Sequence, residues 1–354
     1  MAKFETVNWG IWGTGSIAHT FAKDMRAVPD ARLQMVCSRK VETAQAFAST
    51  YGANGSTADA DAFLADDALD AIYIASPHVL HRTQAERAMA AGKAVLIEKP
   101  VAMTAADARA IDAASKAHNR FAMEALWTRF LPGARKARDI MRSGTLGRPI
   151  HAEASLHFYR PFDPLHRLFD PKLGGGAMLD LAVYPLSVAQ FLLGDLTLVD
   201  AAWSVAQSGV DRTARFEMTA GDTPFRGAVG FWESETEVGD NGFTIYCENG
   251  ALRINRPLNA APSVSIWRTP QNPLPKIEGS KLKRGFAKLR HRPDERIAGH
   301  EGTTGLNFQV VAMQDAMRAD QRQHPDNTLE TSAHILDIIE QALNRAPSTG
   351  PFRQ

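Results

Sequence analysis

From Val7 to His118 the chain repeats one rhythm of short apolar run, turn and helix-forming stretch, and no other feature restricts its fold as tightly. The apolar runs are Val7–Trp12, Leu33–Cys37, Ala71–Ala75 and Ala94–Ile97, with a weaker one at Phe121–Met123. Between them lie Ile17–Val28, Val41–Tyr51, Leu80–Ala91 and Thr104–His118, all rich in alanine and other helix formers. Strands alternating with helices of this length predict βαβ units and a parallel sheet. Runs that are apolar on both faces fit strands covered by helices on either side.

The texture then changes. Ile150–Pro161 and Leu196–Ile254 alternate β-type residues with turn signals at Ser208-Gly209, Ala220-Gly221-Asp222, Gly239–Gly242 and Asn249-Gly250. That pattern predicts antiparallel strands joined by hairpins. A helix at Ala177–Leu193 interrupts them, and two more, about Leu306–Arg318 and Thr331–Asn344, close the chain. At 354 residues the chain is long for one core. We read an α/β domain over 1–124 and an α+β domain with a large, mainly antiparallel sheet over 125–354.

Composition narrows the function. Forty basic residues against 39 acidic ones leave a net charge of +1, which argues against holding nucleic acid or acidic lipid over the whole surface. Residues 276–296 are locally basic, with Lys276, Lys281, Lys283, Arg284, Lys288, Arg290, Arg292 and Arg296. They have little aromatic interleaving, so a solvated loop is the better reading than a nucleic-acid patch. Two cysteines cannot build a disulfide framework. The N-terminus lacks a basic stretch before a long apolar run, and no uninterrupted apolar run nears the ~18 residues of a membrane helix. The expectation is a cytoplasmic protein without a membrane segment. No His-x-x-x-His or Cys-x-x-Cys pair suggests a metal.

Gly13-Thr14-Gly15-Ser16-Ile17-Ala18 joins the first strand to the first helix, the context a G-x-G-x-x-A motif needs. Gly13 suits the tight turn, Gly15 lets a pyrophosphate approach the backbone, and Ala18 allows close helix–strand packing. The N–H groups of the first helical turn then face the phosphates. An NAD site places an Asp or Glu at the end of the second strand to accept from the ribose 2′-OH. Here the strand ends Cys37-Ser38-Arg39-Lys40, a hydroxyl and two cations that suit a 2′-phosphate. The expected cofactor is NADP rather than NAD.

Ile97-Glu98-Lys99-Pro100 ends a buried strand at the sheet edge where doubly wound folds bind ligands. Gly174–Tyr184 is a glycine turn opening a helix, on which Asp180 and Tyr184 share a face. Together with Gly13–Ala18 and Ala75–His81, these segments resemble the glucose–fructose oxidoreductase, inositol dehydrogenase and MocA (Gfo/Idh/MocA) family over nearly the whole chain. Met123–Phe130 further resembles the branch of dimeric dihydrodiol dehydrogenases and NADP-dependent xylose dehydrogenases.

The resemblance implies a Rossmann domain, a second domain with an open sheet, and a homodimer or higher homo-oligomer through that sheet. It implies oxidation of a sugar, polyol or cyclic diol, or the reverse reduction. Lys99 matches the lysine that contacts substrate and nicotinamide ribose, Tyr184 a proton-transferring tyrosine, and Asp180 its acidic partner. Ser76, Pro77, His81 and Glu98 fall in cofactor-binding motifs, and Trp127 and Arg129 match residues near nicotinamide and substrate. His78 stands where the family commonly has Asn. A phenol with a pKa of ~10 is a poor base at neutral pH unless a cation such as Lys99 lowers it. Both Tyr184 and Lys99 remain candidates for moving the proton. Some relatives keep the fold and cofactor as sensors, which is the alternative. The resemblance also predicts a cis Lys99–Pro100 bond.

Overall fold

The computed structural model describes residues 5–233, 239–270, 273, 291–300 and 302–348. The basic stretch 276–290 lies outside them. In chain order the strands are β1 (Val7–Trp12), β2 (Ala31–Cys37), β3 (Gly55–Thr57), β4 (Ala71–Ile74), β5 (Ala94–Ile97), β6 (Ala122–Glu124), β7 (Pro149–Tyr159), β8 (Leu196–Val205), β9 (Asp211–Ala220), β10 (Thr223–Trp232), β11 (Phe243–Cys247), β12 (Gly250–Ile254), β13 (Ser263–Trp267) and β14 (Glu295–Ala298). The helices are α1 (Ser16–Met25), α2 (Val41–Tyr51), α3 (Ala60–Leu64), α4 (His81–Ala90), α5 (Ala105–His118), α6 (Pro132–Arg142), α7 (Val183–Leu193), α8 (Leu306–Arg318) and α9 (Leu329–Leu343).

The chain folds as two compact units. The first holds the described residues of 1–130 together with 166–175 and 302–340. Its sheet has the order β3-β2-β1-β4-β5-β6, with every neighbouring pair parallel. Every residue of β4 and β5 is buried, as expected of strands covered on both faces. Local chemistry sets the helix ends: the Thr104 hydroxyl accepts from the Asp107 N–H at the start of α5, and Asn119 closes that helix in the left-handed region.

The sequence gives no hint that α8 belongs to this unit. Asp24 at the end of α1 is buried, and its carboxylate accepts from the Thr304 N–H at 3.0 Å, the Thr304 hydroxyl at 2.5 Å and the Leu306 N–H at 3.0 Å. Gly305 offers no side-chain cap of its own. Asp24 therefore caps α8 from a residue 280 positions earlier in the chain. Farther on, Glu340 accepts the Ala105 N–H at the start of α5.

The second unit holds 131–165, 176–301 and the residues after 340, as far as they are described. Its sheet is β14-β13-β12-β11-β7-β10-β9-β8, antiparallel except for the parallel β7–β10 pair. The hairpins β8–β9, β9–β10 and β11–β12 turn at or beside the predicted Gly and Asn signals. Phe216, Phe225 and Phe243 meet in its core. The Arg-rich helix α6, absent from the sequence reading, buries Ala134, Ala137, Arg138 and Ile140 on one side. Pro171–Leu193 has the length and composition of a membrane span, but 94% of its most apolar window is buried inside the protein, as in a core helix.

Candidate active site

Five parallel strands end on one edge of the first sheet, tied by backbone bonds. Gly13 N–H bonds Cys37 O at 2.8 Å, Ala75 N–H bonds Trp12 O at 2.9 Å, Glu98 N–H bonds Ile74 O at 2.9 Å, and Ala125 N–H bonds Ile97 O at 2.7 Å. This edge gathers Gly13–Ala18, Ser38, Arg39, Ser76, Pro77, His81, Glu98, Lys99, Trp127 and Arg129. Strand order reverses between β1 and β4, the switch point where open α/β sheets bind ligands.

At the switch point Gly13 has φ +110°, and a Cβ there would lie 2.7 Å from the Ala75 carbonyl oxygen. Only glycine lets the β1–α1 turn approach the end of β4 this closely. Gly15 precedes α1 with φ −75°, no side-chain bond caps the helix, and a Cβ on Gly15 would meet nothing within 4 Å. Uncapped N–H groups, open space and the positive end of the helix dipole suit a dinucleotide pyrophosphate. Ala18 is fully buried, as close packing requires.

At the end of β2 the Ser38 and Thr14 hydroxyls are 2.9 Å apart, which joins the β1–α1 turn to the end of β2. Arg39 and Lys40 are exposed. The thiol of Cys37 is buried, and burial pushes it up to about 11, so it is inert.

His81 is fully buried and sits between two carbonyls: Nε2 lies 2.9 Å from Ser76 O and Nδ1 lies 2.9 Å from Pro100 O. It thereby staples the loop after β4 to the loop after β5. Burial favours the neutral ring while the carbonyl acceptors oppose it. The Ser76 hydroxyl donates to Gln84 at 2.5 Å, Pro77 is exposed, and His78 is buried edge-on to His81. The Lys99–Pro100 bond is cis, as expected.

Glu98 is buried, with its carboxylate accepting from the Tyr73 hydroxyl and from the Lys99 N–H. Burial pushes it up to about 7, against the pull of these donors and the Lys99 charge. The sequence reading missed a second buried carboxyl, Glu124, which ends β6, accepts the Val101 N–H at 2.8 Å and is also raised by burial. Arg129 is buried beyond it, pulled down to about 10 by desolvation, with Nη1 donating to Asp326 O at 2.9 Å. Asn327 donates to Glu124 O at 2.7 Å. The segment before α9 thus supports this end of the edge, a role no local sequence signal could disclose.

Asp180 and Tyr184 lie in the second unit, both buried. The expected single α-helix Ala177–Leu193 begins instead as a π-helix, Met178–Ala182, before α7. Pro185 has no N–H, and its ring crowds the carbonyl four residues back, so the turn ahead of it widens. The start of this helix is held by Asp211, a residue that no local sequence signal marks for this role. Its Oδ2 accepts the Met178 N–H at 2.6 Å. Burial pushes the Asp211 carboxyl up to about 6, opposed by backbone N–H groups including that of Ala177.

Among the described residues no group of three or more His, Cys, Asp or Glu is placed to hold a metal ion.

Family models match at two places: an oxidoreductase family with an NAD-binding Rossmann fold over residues 7–125, and a GFO/IDH/MocA C-terminal domain over 134–253. The NADP-linked D-xylose 1-dehydrogenase of Hypocrea jecorina is 36% identical over 208 residues, 51% of this chain and only 52% of that enzyme's length. The human trans-1,2-dihydrobenzene-1,2-diol dehydrogenase is 30% identical over 352 residues, 98% of each chain. The fold matches that of KijD10, a 3-ketoreductase from Actinomadura kijaniata solved with NADP and TDP-benzene, with a TM-score of 0.79 at 22% identity over 97% of this chain and 98% of that one. The chain belongs to the Gfo/Idh/MocA oxidoreductase family.

Proposed function

We propose that the protein is a cytoplasmic, NADP-dependent oxidoreductase that interconverts CH–OH and C=O groups on a sugar, polyol or cyclic diol. One observation carries the reading. The uncapped N-terminus of α1 and the Lys99 loop lie on the same edge of the parallel sheet, at the switch point and one strand beyond it. Relatives named as a D-xylose and a dihydrodiol dehydrogenase support the reaction class. Ser38 and Arg39, with no carboxylate beside them, support NADP over NAD.

Bound NADP would accept or return the hydride. The chain's own residues do the rest. Thr14, Ser16, Ile17 and Ala18 lie in the turn that holds the pyrophosphate, with Gly13 and Gly15 giving it room. Ser38 and Arg39 bind the 2′-phosphate. Ser76, Pro77, His81, Glu98, Trp127 and Arg129 shape the nicotinamide pocket. Lys99 and Tyr184 handle the substrate hydroxyl proton, and Asp180 orients Lys99 or hydrogen-bonds a substrate hydroxyl. Nucleotide binding falls mainly to 1–124, with Trp127 and Arg129 just beyond it, and substrate binding and self-association, as a homodimer or larger homo-oligomer, fall to 125–354.

The test is steady-state NADPH formation across sugars, polyols and diols, alongside NADPH binding by fluorescence. Lys99→Ala and Tyr184→Phe should each lower kcat by ~10²–10⁴-fold with binding intact, the usual worth of an acid–base group. A Tyr184→Phe enzyme with normal kcat would leave Lys99 as the proton carrier. Tight NADPH binding with no turnover of any panel member would favour a sensor instead.

A further inference from the structure

We infer that Asp211 is a positioning residue that sets the helix carrying Asp180 and Tyr184; this rests on the reading that Tyr184 handles the proton. Three observations lead there. First, the helix start has no cap of its own: Gly175, Gly176 and Ala177 offer no side-chain acceptor. The acceptor comes from the first residue of β9, 33 positions along the chain, whose carboxylate takes the Met178 N–H at 2.6 Å. A carboxylate at a helix N-terminus satisfies orphan N–H groups and complements the dipole.

Second, the backbone is shaped around that carboxylate. Gly176 has φ +125°, and a Cβ there would lie 2.1 Å from Asp211 Oδ1. No other residue would let Asp211 reach the helix.

Third, the segment needs an external anchor. Its first five residues, Met178–Ala182, are π-helical, and Pro185 cannot donate a bond back to Leu181. A π turn followed by proline fixes the direction of Asp180 and Tyr184 less firmly than a regular α-helix would. The carboxylate at its head supplies the missing constraint. Asp211 is itself buried, in the body of the second unit, and acts on the reaction only through this helix.

The experiment compares full-length wild type, Asp211→Ala, Asp211→Asn, Tyr184→Phe and the Asp211→Ala/Tyr184→Phe pair. Hydrogen–deuterium exchange over residues 176–186 reads the helix start. Fluorescence titration reads NADPH binding, and kcat and KM are measured with NADP and D-xylose. Asp211→Ala should speed exchange in that segment and lower kcat roughly 10²-fold, the cost of a misplaced catalytic group, with NADPH affinity within about twofold because the cradle belongs to the other unit. Asp211→Asn keeps one oxygen for the Met178 N–H and should restore most of both. The double variant should be no slower than Tyr184→Phe alone. Unchanged exchange in Asp211→Ala, or a kcat loss that multiplies with Tyr184→Phe, would overturn the proposal. Should Tyr184→Phe keep normal kcat, the reading of Tyr184 fails, and the exchange result still judges Asp211. Should Asp211→Ala not fold, Gly176→Ala, which drives a methyl against Oδ1, and Asp211→Asn carry the same exchange comparison.

Discussion

The two cradle glycines should fail in opposite ways when given a methyl group. Gly15 sits at φ −75°, ψ 176°, a conformation any residue adopts, and its Cβ would meet open space. Gly15→Ala should therefore shift stability by less than about 1 kcal/mol, with the gain in chain stiffness offset by a poorer N-cap. It should nonetheless weaken NADPH binding, because the methyl enters the space through which the pyrophosphate approaches. Losing one charge-assisted hydrogen bond costs ~1.5–3 kcal/mol, which is about 10- to 150-fold in Kd. Gly13→Ala should do the reverse. Forcing alanine to φ +110°, with its Cβ 2.7 Å from Ala75 O, costs about 1–3 kcal/mol in backbone strain, before the clash is counted. Thermal melts and NADPH fluorescence titration on the same samples separate the two effects. A Gly15→Ala protein that binds NADPH like wild type would remove the pyrophosphate from this turn. A Gly13→Ala protein of unchanged stability would show that the β1 and β4 ends do not approach as described.

Arg39→Ala should weaken NADP binding roughly tenfold or more and leave NAD binding nearly unchanged, since only NADP carries the 2′-phosphate; equal affinities of wild type for the two nucleotides would defeat the cofactor assignment. His81→Leu should cost about 1–3 kcal/mol in urea denaturation, because it strands the buried carbonyl served by the neutral ring's single N–H; a stability equal to wild type would argue against the staple. Glu98 is raised from its ordinary value to about 7, so its protonated form is favoured by folding. Its contribution is complete below about pH 4.5 and is lost as pH rises through about 7. Relative to Glu98→Gln, the wild type should thus lose stability between pH 5 and pH 8 in urea melts, and parallel curves for the two proteins would contradict the shift.

Much of the first unit was legible because its signals are local. The runs at Val7–Trp12 and Ala94–Ile97 are strands over those bounds, and Val41–Tyr51 is a helix that ends where Gly52 takes a positive φ. The motif Gly13–Ala18 carries its own punctuation. What escaped depends on residues far apart in sequence. Glu124 and Asp211 look like ordinary acids in a linear reading, and only their burial and backbone partners mark them. Strand β3 and helix α3 are too short to show a period, with lengths of 3 and 5 residues. The π turn lies just ahead of Pro185, inside the span Ala177–Leu193 expected as one unbroken helix.

The bond between Asp24 and Thr304 has a consequence for how the protein is made. The nucleotide-binding unit begins near one end of the chain and is completed 280 residues later, with the other unit's sheet intervening in sequence. At a synthesis rate of ~5–20 residues per second, α1 waits roughly 15–55 s before α8 exists to cover it. Through that interval the apolar side of α1 lacks its partner, and the second unit's strands can pair first. Maturation of the cradle is therefore a late event, gated by delivery of residues 302–340. A chain cut after residue 130 would hold every glycine of the phosphate turn and still lack the helix that seals the unit.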